Sequence, residues 1–332
     1  MKTAIIILNW NGQKLLEQFL PSIVNFSSNE AEIYVVDNAS NDNSIAFIKE
    51  RFSTVKIVQN ATNGGYAKGY NDALGHIKAD IYCLINSDIE VTNNWLSPIL
   101  SVFDEEEKTA IIQPKLLDFK DKTSFEYAGA GGGFIDKFGY PYCRGRIFNS
   151  IEKDNGQFND VASIFWASGA CFFIRSKVFH QLNGFDQDYF AHQEEIDLCW
   201  RVKNAGFDIR YQGNTTVYHV GGATLHKTSP QKTFLNFRNS LLNLLKNTPS
   251  KIVFFLLFSR LILDGIAGVK FIFQLKPIHT LAIIKAHFSF YRIFPVFLKK
   301  RRNLPQKSNY YQHISVVWQY YVLGRKKYNN LK

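Results

Sequence analysis

The chain has 332 residues, 46% of them hydrophobic and 20% charged, the balance of a folded protein rather than a disordered one. That length allows one large domain with an appendage, or two domains. The net charge of +11 is unevenly placed: residues 1–229 hold 21 Lys and Arg against 27 Asp and Glu, whereas residues 230–332 hold 18 against Asp264 alone. The split predicts an acidic-to-neutral body and a basic, apolar helical extension that favours an anionic surface.

The first 120 residues alternate between two patterns. Short β-rich runs occur at 4–9, 32–38, 55–60 and 81–86, separated by helical spacing at 13–26, 44–52 and 66–78. The start, MKTAIIILNWNG, has an apolar core of only about four residues, shorter than a secretion signal needs, and reads as a first strand. Its runs are continuous rather than alternating, as in parallel strands covered on both faces, which predicts a doubly wound, mostly parallel α/β sheet with ligands at the carboxyl ends of its strands. Those ends are polar in all four cases: Asn9-Trp10-Asn11-Gly12, Asp37 to Asp42, Asn60 with the loop Thr62 to Tyr66, and Asn86-Ser87-Asp88. Each alone is a turn; together they outline a polar crevice. The chain has no GxxxxGK[ST] and no GxGxxG after the first strand, which disfavours a P-loop or a dinucleotide site.

Residues 121–165 are less regular and glycine-rich. Beyond them ACFFIR reads as a strand and SKVFHQLNG as a short helix. EEIDLCWRVKNAG reads as a helix ended by Gly206, with Glu194, Asp197 and Arg201 on one face, and DIRYQ as a strand leading to His219 and Gly221-Gly222. Cys83, Cys171 and Cys199 lie among apolar neighbours with no metal spacing, so they read as buried thiols of a reducing compartment, the cytoplasm. In the extension, 252–275 is an apolar stretch interrupted by Arg260, Asp264 and Lys270, and Arg260 can pair with Asp264 one turn on. A second apolar segment, 278–298, runs into Lys299-Lys300-Arg301-Arg302. Three readings stand for this pair: interfacial amphipathic helices on anionic lipid, a helical cap on the body, or a true span. Nucleic acid is disfavoured, because the cations are interleaved with long apolar runs.

Seven blocks in order, IILNWNG, VDNASNDNS, NGGYAKGYNDAL, LINSDIEV, WASGACFFIRSKVFHQLNGFD, YFAHQEEIDLCWRVKNAG and VYHVGGA, resemble the inverting family-2 glycosyltransferases of GT-A fold, rhamnosyltransferase-like branch. The resemblance covers about residues 3–225. It implies a domain over 1–229, with a nucleotide-binding half to about 120 and an acceptor and catalytic half after it. It further implies that Asn9, Asn11, Asp37 and Ser40 hold the nucleoside, and that Asn63, Gly65 and Lys68 reach phosphates or sugar. LINSDIEV stands where the family carries its metal motif: Asp88, with Asn86 in place of a first aspartate, and His219 would hold Mg²⁺ or Mn²⁺ on the donor diphosphate. The base falls in HQEEID. Glu195 occupies the place of an aspartate one C–C bond shorter, and Glu194 or Asp197 are the alternatives. Trp166 and Gly169 are expected on the acceptor side.

The implied activity is inverting, metal-dependent transfer of a sugar (from dTDP-rhamnose or another nucleotide-hexose) to a glycan or lipid-linked acceptor of cell-surface polysaccharide. The site would lie at the cytoplasmic face of the membrane, with residues 252–302 against the lipid. A sugar-1-phosphate nucleotidyltransferase, or a relative that binds nucleotide-sugar without turning it over, are the competing readings.

Overall fold

The computed structural model describes residues 1–221 and 229–332. Along the chain run β1 (Thr3–Asn9), α1 (Gln13–Ser27), β2 (Glu32–Asp37), α2 (Ser44–Arg51), β3 (Lys56–Gln59), α3 (Gly65–Leu74), β4 (Ile81–Asn86), β5 (Ile89–Val91), α4 (Ser97–Glu105) and β6 (Thr109–Asp118). Next come four short strands, β7 (Gly133–Ile135), β8 (Pro141–Cys143), β9 (Arg146–Ile147) and β10 (Ser150–Ile151), then β11 (Val161–Ser163), β12 (Cys171–Arg175), α5 (Ser176–Gln181), α6 (Glu194–Asn204) and β13 (Asp208–His219). Four helices close the chain: α7 (Pro230–Asn247), α8 (Val253–Phe273), α9 (Pro277–Arg302) and α10 (Val316–Tyr321).

The main sheet has the order β11-β13-β6-β12-β4-β1-β2-β3, with β5 added beside β13. Pairs β1–β2, β1–β4, β2–β3 and β6–β13 are parallel, and β12 runs antiparallel between β4 and β6. The mostly parallel sheet with flanking helices is the architecture that the resemblance to GT-A glycosyltransferases predicts. Register sets the crevice: Asn9 lies beside Asp37, Asp37 beside Gln59, and Leu8 beside Asn86, so the polar tips of four strands end at one edge.

β6 carries Pro114, which has no N–H to give the ladder. The sheet accommodates it with a bulge: the register of β13 jumps from Gln212 opposite Pro114 to Thr216 opposite Lys115. The glycine-rich segment forms a second, four-stranded antiparallel sheet, β10-β9-β8-β7. Trp166 belongs to this region. It is buried, donates from its indole N–H to Phe134 O at 2.9 Å, and lies so close over Gly133 that a Cβ there would meet the ring. Its surroundings are core rather than an acceptor surface.

The four cysteines are buried and unpaired. The C-terminal helices share one apolar core with the sheet: Leu241, Leu244 and Leu245 of α7, Leu256 of α8 and Phe290 and Phe297 of α9 pack in the same cluster as Tyr82, Phe172 and Leu198. Arg260 and Asp264 pair one turn apart at 3.3 Å inside this contact. Arg260 donates to Phe138 O and Ser240 Oγ, while Asp264 faces Tyr140 and His287. Of the basic run at the end of α9, only Lys299 and Arg302 are exposed. Lys300 pairs with Asp186 and Asp188, and buried Arg301 donates to Leu245 O.

Removing Asp264 strands a buried guanidinium, a change that costs about 3–5 kcal/mol. Asp264→Ala should therefore shift the urea midpoint strongly downward, and adding Arg260→Met should recover most of the loss.

Candidate active site

At the end of β1, Asn9 is fully buried and its amide donates to Ser40 Oγ at 3.3 Å and to Asp37 Oδ1 at 3.5 Å. Asp37 Oδ2 accepts from the Ser40 amide, and Ser40 Oγ accepts from the Asn11 amide at 2.9 Å. Asn11, Asp37 and Ser40 thus form one knot over the strand ends, with the side-chain Oδ1 of Asn9 buried and without a hydrogen-bond partner among the described residues. Asn38, which motif reasoning left out, is the second knot. Its amide donates to Asn63 Oδ1 at 2.9 Å, and its own carbonyl accepts from Asn60 at 3.0 Å, which pins the loop before α3. Gly65 in that loop has φ +79, and a Cβ there would sit 2.8 Å from Phe190 O. Glycine is therefore required both by conformation and by contact with the loop ahead of α6. Lys68 is half exposed and paired with Asp72 at 2.5 Å.

The turn Ser87–Asp88 leaves β4 at Asn86, whose amide is bound by Ala170 O. Pairing of β5 with β13 sets His219 beside Ile89. His219 Nε2 consequently lies 3.2 Å from Asp88 Oδ1, and Asp88 Oδ2 accepts from the Gly221 amide at 3.2 Å. On its other side His219 Nδ1 is 3.4 Å from Glu126 Oε1. All three side chains are buried. Burial works against an imidazolium, yet Glu126 and Asp88 outweigh it and push His219 up to about 10. Burial likewise opposes ionisation of Asp88, and His219 overrides it, holding the carboxyl below its usual range.

Glu126 was not legible as a site residue. It lies in the irregular segment FEYAGAGGG, with no motif around it. Gly222, which follows Gly221 in the sequence block, lies outside the described residues. The donor set suits a hard divalent cation only in part. One carboxylate and one imidazole, the latter backed by a second carboxylate and obliged to release its Nε2 proton to an incoming cation, are a partial shell, but among the described residues no three such side chains converge as ligands. A cation held here would draw its remaining ligands from phosphate and water, as Mg²⁺ sites on nucleotides do.

The acids of α6 are presented by an unusual stretch of backbone. Phe190, His192 and Gln193 have φ of 64°, 67° and 74°, a conformation that non-glycine residues hold only when their surroundings impose it. Here α7 imposes it. Asn239 donates to the carbonyls of Tyr189, Ala191 and His192 at 3.1, 3.0 and 2.6 Å, Asn243 donates to Gln193 O at 3.2 Å, and Arg238 to Tyr189 O at 3.0 Å.

The three candidate acids then differ sharply. Asp197 is sealed from solvent, and Arg201, Lys246 and Asn247 occupy its oxygens at 2.8–2.9 Å. Burial opposes its charge, but Arg201 and Lys246 hold its carboxyl well below the usual range. Glu194 is 4% exposed, with one oxygen lacking a hydrogen-bond partner among the described residues. Burial, then the neighbouring Glu195, push its carboxyl well above the usual range. Glu195 is partly exposed, and burial raises it to about 7 against its backbone hydrogen bonds and the charge of Lys232. Gly169 lies beside it: a Cβ at Gly169 would be 3.9 Å from Glu195 Cβ and 3.1 Å from the Tyr66 hydroxyl, which donates to Gly169 O. Since Ala170 binds Asn86, the strand-end crevice, the Asp88 turn and Glu195 adjoin one another along β12 and β4.

A profile of glycosyl transferase family 2 matches residues 4–182. The chain belongs to glycosyl transferase family 2. Its sequence is 22% identical over 233 residues, 65% of this chain and 75% of the relative, to an N-acetylglucosaminyl-diphospho-decaprenol L-rhamnosyltransferase of Mycobacterium tuberculosis, in keeping with the rhamnosyltransferase-like branch. Its fold is similar to that of S. aureus TarS 1–349 in complex with UDP-GlcNAc (TM-score 0.58, 16% identity, 91% of this chain and 84% of that one). It is also similar to that of GalNAc-T7 with UDP, GalNAc and Mn²⁺ (TM-score 0.58, 14% identity, 75% of this chain and 48% of that one). The family match ends before α6, so the assignment of its acids rests on geometry.

Asn239→Leu keeps the side chain's size but removes its donors. Turnover should fall by about tenfold or more, since displacement of a catalytic group by about 1 Å can cost about 10²-fold, while nucleotide-sugar affinity measured by calorimetry stays within about threefold.

Proposed function

We propose that this family-2 glycosyltransferase moves a sugar, with inversion, from a nucleoside-diphosphate sugar to a hydroxyl of a glycan or lipid-linked acceptor at the cytoplasmic face of the membrane. The observation that carries the reading is the meeting of the strand-end crevice, the Asp88–His219 pair and Glu195 around Gly169 and Ala170. Asn9, Asn11, Asp37 and Ser40 would hold base and ribose, and Lys68 would exchange Asp72 for donor phosphate or sugar. A Mg²⁺ or Mn²⁺ ion held by Asp88 and His219 would stabilise charge on the departing diphosphate; the structural neighbour GalNAc-T7, described with UDP and Mn²⁺, supports the use of a divalent metal.

Glu195 suits the base. It is the one acid of the three that is not buried, and its pKa near 7 matches a group that must both take and hold a proton at neutral pH. It removes the acceptor hydroxyl proton as that oxygen bonds to the anomeric carbon. The bond from that carbon to the diphosphate breaks on the opposite face, and nucleoside diphosphate leaves. Asp197, ion-paired and closed to solvent, fixes α6 instead, and burial of Glu194 disfavours a second negative charge beside the base.

Product analysis tests the reaction class. Nucleoside diphosphate and an inverted anomeric linkage are expected, whereas pyrophosphate would indicate nucleotidyl transfer. Glu195→Gln should lower turnover by about 10²-fold or more, and Asp88→Ala should abolish the Mn²⁺-dependent part of thermal stabilisation by nucleotide-sugar.

The pH dependence has a fixed sign. A base must be ionised, so wild-type kcat/KM should rise with pH through about 7 and level off above it. Because burial raises the folded pKa above the unfolded one, ionising Glu195 destabilises the native state. Glu195→Gln should thus be the more stable protein above pH 7, by on the order of 1 kcal/mol, and the difference should close as pH falls toward about 4.

A further inference from the structure

The α8–α9 hairpin has two unlike faces. The inner face is tied to the body by the Arg260–Asp264–His287 network and by the apolar core. The outer face is apolar along the whole of α8. Phe254, Phe258, Ile262, Ile266, Val269 and Phe273 recur at intervals of three or four residues, and each is more than half exposed. The strip continues around the turn, where Phe273 and Leu275 are 84% and 89% exposed, and onto α9 through Leu281 and Phe288. A strip of 21 residues extends about 30 Å, more continuous apolar surface than a soluble monomer normally shows to water.

Charge indicates what covers it. The single acid of residues 230–332, Asp264, is buried on the inner face, so the charges bordering the strip are cations: Lys251, Lys270, Lys276, Lys285 and Arg292, all exposed. Such a face suits an anionic lipid surface, each cation near it adding about 1 kcal/mol. It suits a second copy of itself poorly, since two cationic rims would oppose each other.

Among the described residues α9 alone has the length and apolarity to cross a bilayer. To do so it would have to withdraw Ala282, Ile283, Ala286, Phe290 and Phe297 from the protein and break the bond of His287 to Asp264. The hairpin's location also matters. His279 at the start of α9 bonds Thr233 at the start of α7, 2.7 Å apart. Thr233 is six residues, about 9 Å along the helix, from Asn239, which grips the catalytic loop. The exposed turn is therefore at the same end of α7 as Lys232, whose charge acts on both Glu195 and His192.

We propose that the α8–α9 hairpin lies flat in the headgroup–acyl boundary of an anionic bilayer, without spanning it, and sets its turn beside the catalytic loop so that the acceptor is taken from the membrane surface. The acceptor clause rests on the glycosyl-transfer reading above; the docking itself does not.

The full-length protein should co-sediment with phosphatidylcholine vesicles containing phosphatidylglycerol, bind phosphatidylcholine alone at least tenfold more weakly, and be released by alkaline carbonate. Phe258→Glu combined with Ile266→Glu, both at exposed positions, should weaken vesicle binding at least tenfold. The same variant should leave unchanged the thermal shift given by nucleotide-sugar, which reads the donor site separately. A Phe273→Trp variant should show emission quenched by brominated lipid, and a Lys49→Trp variant on α2 should not. Carbonate-resistant retention would overturn the proposal in favour of a span. Self-association through the strip without vesicle binding would overturn it in favour of a dimer. Equal quenching at both positions would overturn the placement of the turn.

Discussion

Three residues with positive φ within a stretch of four do not persist on their own; each costs of order 1–3 kcal/mol when the side chain is not glycine. The loop Phe190–Gln193 persists because one asparagine amide, that of Asn239, is shared among the carbonyls of Tyr189, Ala191 and His192, and because Asn243 and Arg238 bind the carbonyls of Gln193 and Tyr189. The position of Glu195 follows from this arrangement, since α6 begins where the loop ends. So does the contact between the loop before α3 and the loop before α6, in which Gly65 lies against Phe190 O. A helix from the basic extension thus supplies the restraint on which the acids of the body depend.

The same helix separates the chemistry of those acids. Asp197 and Glu195 are two residues apart and start from similar intrinsic pKa values, yet they are driven in opposite directions. Lys246 of α7 and Arg201 of α6 compensate the buried charge of Asp197, which would be prohibitive alone. Glu195 has only backbone amides and a more distant lysine, so burial prevails and its proton affinity rises to the physiological range. Environments that push neighbouring titratable groups apart are how one polypeptide assigns a structural role to one carboxylate and a proton-transfer role to another.

Much of this arrangement was legible in the sequence, for identifiable reasons. Continuous apolar runs ending in Asn, Asp and Ser specify parallel strands with polar tips, and β1 to β4 lie where that pattern puts them. β6 was not legible: Pro114 interrupts its run, and the bulge that accommodates it is a property of β13. Glu126 became a site residue only through the pairing that brings His219 to Asp88, a contact across more than 90 residues with no local signature. An aromatic face suits a sugar, and that alone points Trp166 toward the acceptor. Its neighbours in space, Gly133 and Phe134, belong to a small sheet that periodicity did not reveal. The basic run at 299–302 looked uniform in sequence, but helical geometry turns Arg301 inward and brings Lys300 to Asp186 and Asp188.

The membrane docking proposed above accounts for the composition of the extension. A segment that packs on a protein with one face and meets an anionic surface with the other gains from cations outside and needs acids only where a cation has been buried. Arg260 is such a cation, and Asp264 is its counter-ion, within hydrogen-bond reach of both Tyr140 and His287. Any further acid on the outer face would repel the anionic surface proposed to cover the strip. The charge asymmetry visible in the bare sequence therefore encodes two interfaces at once. The inner one reaches the catalytic loop through α7, so the helices that face outward also fix the site they accompany.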